Sequence, residues 1–180
     1  MTSAEHPNGS SRAEEVLRNH PLTADAVVNI QGDEPLMDPM MIDEVADALN
    51  EPDVVCATLC RPLADAADRT NPNVVKVVLD QKGDALYFSR SLIPYPRHEP
   101  AVSIYQHIGI YGYTAEFLRR YVELPMTPLA EAESLEQLKV LEHGYKIRVK
   151  VTACREAGRG VDTLEDLEAV RRILSARGGA

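Results

Sequence analysis

Positive charge is scarce in this chain. Its 180 residues hold 19 lysines and arginines against 28 aspartates and glutamates, a net charge of −9. That balance excludes non-specific binding to nucleic acid or to an anionic membrane, both of which need a basic surface. An anionic small-molecule substrate would need local cations or metal ions to offset the field. Long apolar runs are missing too. None approaches a membrane span, and the first twenty residues lack the hydrophobic centre of a signal peptide, so the expected location is the cytoplasm. Cysteine is rare: Cys56, Cys60 and Cys154 make an odd count that suits reduced thiols. Cys-x3-Cys is not a common zinc spacing, and the three are expected to fill core space. What is present, 44% hydrophobic and 26% charged residues, suits one globular domain over 1–180 with a real core.

Along the chain, residues 1–11 are polar and read as a mobile tail or loop, followed by a helix over 12–19. The run 26–30, β-branched at Val27, Val28 and Ile30, predicts a strand covered on both faces. Ile42, Val45, Ala46 and Leu49 make one helical stripe within 40–50. Strands follow over 54–59, 74–79 and 85–89, the last two flanking the hairpin-like Gln81-Lys82-Gly83-Asp84. Residues 91–102 hold Pro94, Pro96 and Pro100 and read as a loop. A strand over 108–113, helices over 115–123 and 129–143, and a strand over 145–152 complete the series. Gly144 stands where a helix would close. Thr163 and Asp166 form a capping box for a last helix expected to bury Leu164, Leu167, Val170 and Leu174. Helices and strands alternate at both ends around a central hairpin. The pattern predicts an α/β sandwich with a mostly parallel sheet and an antiparallel insertion.

Three stretches carry possible chemistry. "QGDEP" ends the first strand on Asp33 and Glu34, at the carboxyl end where open α/β sheets bind ligands. Asp162 follows the last strand at a helix start. One acid from each of two loops is the minimum design for a magnesium–nucleotide site. Equally, Asp33 could be a turn former and Asp162 a helix-start residue. His107, Gly109, Tyr111 and Tyr113 share one strand face, a row of hydrogen-bonding rings able to hold sugar hydroxyls, although a lone core histidine is the commoner pattern. Glu136 and Gln137 either flank a buried stripe and aim at a pocket or face water. Arg90 ends a strand and could pair with a carboxylate or phosphate, or lie on the surface.

Taken in order, five segments resemble one family, the CMP-Kdo synthetases (3-deoxy-manno-octulosonate, or Kdo, cytidylyltransferases). They are "VVNIQGDEPLM", "NPNVVKVVLDQKGDALYFSRSLIPYPR", "HIGIYGYTAEFLRRYVEL", "SLEQLKVLEHGYKIRV" and "GVDTLEDLEAVR". The resemblance implies a three-layer α/β sandwich of the nucleotide-diphospho-sugar transferase type, which is Rossmann-like. It also implies the reaction of CTP with Kdo to give CMP-Kdo and pyrophosphate for lipopolysaccharide synthesis. Asp33 and Asp162 match the family's magnesium-binding aspartates. Gln31 matches a residue between nucleotide and sugar. His107, Tyr111, Glu136 and Gln137 match Kdo-gripping positions, with Arg90 at the Kdo carboxylate. A homodimer through the central insertion is implied as well.

In one place the pattern departs. The family opens with a strand and a Gly/Arg/Ser/Lys-rich loop around the triphosphate, for which residues 1–180 hold no counterpart. The chain reads as N-terminally truncated. Its opening resembles the family's His-x-Ser-Gly-Thr-(Asp/Glu)-Arg stretch, with Asn8, Ser10 and Ser11 replacing Ser, Thr and the acid. Gly9, Ser10 and Arg12 are left to meet the cytosine end of the nucleotide. Weakened triphosphate binding is expected, each charge-assisted hydrogen bond contributing about 1.5–3 kcal/mol. The alternatives are a related sugar-acid cytidylyltransferase, or a silent α/β chain that acts only by association.

Overall fold

A computed structural model describes residues 2–6, 8–20, 23–98, 103–154, 161 and 163–177. Six strands form one sheet: β1 (Ala26–Asn29), β2 (Cys56–Pro62), β3 (Lys76–Leu79), β4 (Ala85–Ser89), β5 (Tyr105–Thr114) and β6 (Arg148–Val151). The order is β4-β3-β5-β2-β6, with β1 also on β5. At ten residues β5 is the spine. One of its edges carries β3 at Tyr105–Gln106 and β1 from Tyr111 to Thr114, while β2 covers the other.

All three of those strands run antiparallel to β5, and β4 is antiparallel to β3. Only β2 and β6 are parallel neighbours among the described residues. Thus β1, β2, β3 and β6 point one way and β4 and β5 the other. The strand–helix–strand unit expected from 26 to 59 is present, and its two strands are co-directional. They do not touch because β5 lies between them. The sheet is therefore mostly aligned in direction, yet its hydrogen-bonded pairs are mostly antiparallel.

Helices cover both faces, the three-layer sandwich expected. On one face α2 (Pro39–Ala48), capped by the Asp38 carboxylate and started by Pro39, buries Met41, Val45 and Ala48 against Ala57, Leu59, Ile108 and Ile110. Gly112 is required there. A Cβ at that position would lie 2.5 Å from Val45 Cγ1 and 2.9 Å from Leu49 Cδ1. On the other face α3 (Ala115–Glu123) and α5 (Gln137–Glu142) pack Phe117, Leu118, Tyr121, Leu138 and Val140 on Cys56, Cys60, Val77, Phe88 and Tyr113. Cys154 lies in the first core, and all three thiols are free and buried.

Several expectations need correction. The opening residues do not form a loose tail as far as 11: α1 spans Gly9–Asn19, because the Asn8 side chain accepts from Ser11 N (2.8 Å) and starts the helix early. His6 pairs with Glu15 and folds the preceding residues back on it. The helix expected over 129–143 is two, α4 (Pro128–Glu133) and α5, broken where Ser134 turns left-handed at φ 50°. The capping box at Thr163 and Asp166 forms, with Thr163 N donating to Asp166 Oδ2 and Asp166 N to Thr163 Oγ1, both 3.1 Å. Of the stripe on α6 (Leu164–Arg177), however, only Val170 is buried and Leu167 half-buried, while Leu164 and Leu174 are exposed. That helix rests on the body through its middle turns. No described helix is long and apolar enough to cross a membrane.

Candidate functional site

The polar row on β5 forms as a ladder of rings. His107 lies edge-on to Phe88 (centroids 5.1 Å) and 5.3 Å from Tyr111, which stacks on Tyr113 at 6.1 Å. A register shift beside Thr58 sets the lower rung. The Thr58 hydroxyl donates to Ile110 O (2.7 Å), which leaves a lone pair to accept from His107 Nε2 at 3.0 Å. Burial pushes the imidazole down to about 3, so it is neutral at pH 7. Burial likewise raises the phenols of Tyr111, Tyr113 and Tyr121, and the Cys60 thiol up to about 12. The ladder is an uncharged hydrogen-bonding floor.

Over it lies a cavity of about 290 Å³. One wall is the start of α1, with Asn8, Gly9 and Ser10, docked by a 3.0 Å hydrogen bond between Ser10 Oγ and Tyr113 Oη. Gly9 fits because a side chain would strike Asn29, 2.9 Å from where its Cβ would be. The opposite wall is the corner between α4 and α5, with Glu136 and Gln137. Tyr121 Oη donates to Glu136 Oε2 at 3.3 Å, and Lys139 Nζ stands 3.9 Å from the centre of the Tyr121 ring. Gln31 closes the mouth at the end of β1. The Tyr111 hydroxyl is buried and has no hydrogen-bond partner among the described residues. An unpartnered buried hydroxyl on a residue that lines a cavity is a candidate contact for a ligand atom.

A second hollow of about 460 Å³ continues from the first through Gly9, Asn29 and Gln31, to Arg12 on one side and Gly32–Asp33 on the other. Arg12 holds the opening residues, donating to Thr2 Oγ1 and to Ser3 O (3.0 Å). Asp33 is exposed at the rim. Its carbonyl accepts from Val161 N at 2.8 Å, so the segment before the last helix abuts the acidic loop. Asp162 itself lies outside the described residues.

Seven residues singled out in the sequence thus meet around one cavity: Gly9, Ser10, Gln31, Tyr111, Tyr113, Glu136 and Gln137. Arg12 and Asp33 line the adjoining hollow. His107 and Arg90 line neither. His107 stands behind Tyr111, and the Arg90 guanidinium is engaged by three backbone carbonyls, those of Glu133, Pro72 and Ser134. Asn8, Asn29, Tyr121 and Ser134 were not anticipated. For Tyr121 a signal existed, a tyrosine in the apolar stripe of α3. For Ser134 there was none.

Residues 1–147 match the model of the family described as cytidylyltransferase. A 3-deoxy-manno-octulosonate cytidylyltransferase of Nitrosococcus oceani is 45% identical, across 97% of this chain and 71% of its own length. One from Leptothrix cholodnii is 50% identical, across 96% and 67%. The solved structure of a CMP:2-keto-3-deoxy-manno-octonic acid synthetase complexed with CTP superposes with a TM-score of 0.90 at 40% identity, over 98% of this chain and 72% of that one. A 4-diphosphocytidyl-2C-methyl-D-erythritol synthase from Anaerococcus prevotii, 12% identical with a TM-score of 0.56, shares the fold. The chain belongs to the cytidylyltransferase family of nucleotidyltransferases, among the 3-deoxy-manno-octulosonate cytidylyltransferases.

Proposed function

We propose that this chain transfers CMP from CTP to Kdo, releasing pyrophosphate and supplying CMP-Kdo for lipopolysaccharide synthesis in the cytoplasm. One observation carries the reading. A single cavity has the start of α1 on one wall, Glu136 and Gln137 on the other, and the unpartnered Tyr111 hydroxyl on its floor. The relatives' names and the CTP-bound neighbour support it from outside the chain.

In this reading Gly9, Ser10 and Arg12 receive the cytidine end. Tyr111, Glu136 and Gln137 grip the sugar, the carboxylate accepting from hydroxyls and the amide and phenol donating to them. Neutral His107 orients Tyr111 from behind. Gln31 stands where the two substrates meet. The anomeric oxygen bonds to the α-phosphorus as the bond to the pyrophosphate oxygen breaks, and the hydroxyl proton is released. No covalent intermediate with the protein is needed. Positioning accounts for the residues' share of the rate.

The exposed Asp33 carboxylate beside the nucleotide-side hollow is a hard oxygen donor of the kind Mg²⁺ takes with phosphates. Asp33 and Asp162 would hold the ion. The backbone bond from Val161 to Asp33 supports bringing those two loops together. When bound, Mg²⁺ offsets phosphate charge and lowers the pKa of the attacking hydroxyl. Two copies of the chain would pair through the central insertion, where Leu86 and Tyr95 are 62% and 81% exposed.

The test is pyrophosphate release from CTP, Kdo and Mg²⁺. Turnover that disappears in a folded Asp33→Ala variant is expected. No turnover from a folded, monodisperse wild-type sample would favour the silent alternative.

A further inference from the structure

The two walls of the cavity come from segments far apart in the chain, and a side chain of α3 stands between them. Tyr121 is 2% exposed and lines the cavity. On the sugar-acid side its Oη donates to Glu136 Oε2 at 3.3 Å, the one hydrogen bond of that carboxylate among the described residues. Glu136 opens α5 without capping it, so the helix itself does not fix where the carboxylate points. Lys139 is 6% exposed, with Nζ 3.9 Å from the centre of the Tyr121 ring. It follows Glu136 by three residues on α5, close enough for its charge to offset the carboxylate's.

On the cytidine side the Tyr113 ring lies 5.4 Å from that of Tyr121, tilted by 39°. Tyr113 Oη shares the 3.0 Å hydrogen bond with Ser10 Oγ that docks α1, and α1 itself rests on α3. Burial and the Glu136 carboxylate push the Tyr121 phenol up, with the Ser10 hydroxyl pulling the other way. The phenol therefore stays protonated, able to donate, and in reach of groups from both walls. A ligand that seats the start of α1 steadies Tyr113 and Tyr121, and with them Glu136.

We infer that Tyr121 is a positioning residue that aims Glu136 and ties the sugar-acid wall to the cytidine wall, so that a ligand on either wall tightens the other's binding. The inference rests on the proposed reading of those two walls. A tyrosine that served stability alone would leave ligand affinity untouched, and one that touched the sugar itself would act without Glu136.

Calorimetry separates these roles, with Kdo and with CMP as a probe that fills the cytidine wall without reacting. In the wild-type chain CMP should tighten Kdo about fivefold, and Kdo should tighten CMP by the same factor, because coupling between two ligands is reciprocal. Tyr121→Phe keeps the ring and its packing and removes only the hydroxyl. It should weaken Kdo alone about fivefold, the loss of one hydrogen bond, and abolish the coupling. In a Glu136→Ala background the same change should weaken Kdo by less than about twofold more, since the group it aims is gone. Unchanged Kdo affinity in Tyr121→Phe, coupling that survives it, or a full further loss on top of Glu136→Ala would overturn the inference.

A wild-type chain that fails to bind one or both ligands would count against the proposed function, and hydrogen exchange would still decide the tie. Leu138 N is bonded to Leu135 O at 3.0 Å and Lys139 N to Glu136 O at 3.2 Å, both at the start of α5. Ser10→Ala, on the opposite wall, should speed their exchange about threefold, the low end of coupling within one network. In the Tyr121→Phe background it should leave them unchanged. Equal rates in wild type and Ser10→Ala, or the same acceleration without the Tyr121 hydroxyl, would overturn the inference.

Discussion

Tyr111 concentrates the site's logic in one atom. Its hydroxyl is buried and unpartnered among the described residues, so in the free protein it costs stability, and with a sugar bound it gains a hydrogen bond. Tyr111→Phe should therefore leave the unfolding free energy unchanged or slightly higher. The KM for Kdo should rise about fivefold, the worth of a neutral hydrogen bond of about 1 kcal/mol. Urea melts and sugar titrations check the two halves separately. His107 gives a pH signature. Its pKa is about 3 in the folded chain against 6.5 ordinarily, so between those values the unfolded state binds a proton that the folded state refuses. Stability must then fall as pH drops from about 6.5 towards 3. Thermal melts of His107→Gln should show a shallower loss over that window. The ring row was legible from alternation along "HIGIYGY". The neutrality of His107 was not, because it depends on Thr58 and Phe88 packed around it.

Among the elements, caps and stripes decided what could be read. The helix from Ala115 to Glu123 appears with the expected bounds, because Thr114 accepts from Phe117 N at 3.2 Å and Pro125 follows. The start of α1 was hidden, since Gly9, Ser10 and Ser11 are poor helix formers whose order comes from the Asn8 cap and from contact with Tyr113. The break at Ser134 was invisible for a different reason. Leu135, Leu138 and Leu141 carry a helical stripe on past it, and Arg90, which donates to the carbonyls of Glu133 and Ser134, is 44 residues away. Gly112 shows tight packing of α2 on β5. Gly112→Ala should destabilise the chain by about 1–3 kcal/mol, the usual cost of overpacking, since the added methyl would overlap Val45 and Leu49. Unfolding in denaturant reads that value, and a neutral result would mean that α2 sits farther from the sheet.

For the molecule as a whole, alternation of helices and strands foretold a layered α/β fold but not which strands touch. A strand inserted between two others, as β5 is between β1 and β2, leaves no mark on either flanking sequence. The same holds for the site. Gly9, Gln31, Tyr111 and Glu136 are spread over 128 positions and meet only because β5 carries β1 on one edge and its ring face packs under α1 and α5. The most direct test is a crystal structure of this chain soaked with Kdo. The sugar should lie between Gly9–Ser10 and Glu136–Gln137, with a hydroxyl within hydrogen-bond distance of Tyr111 Oη. A sugar bound elsewhere, or bound there with Tyr111 Oη still unpartnered, would contradict the account.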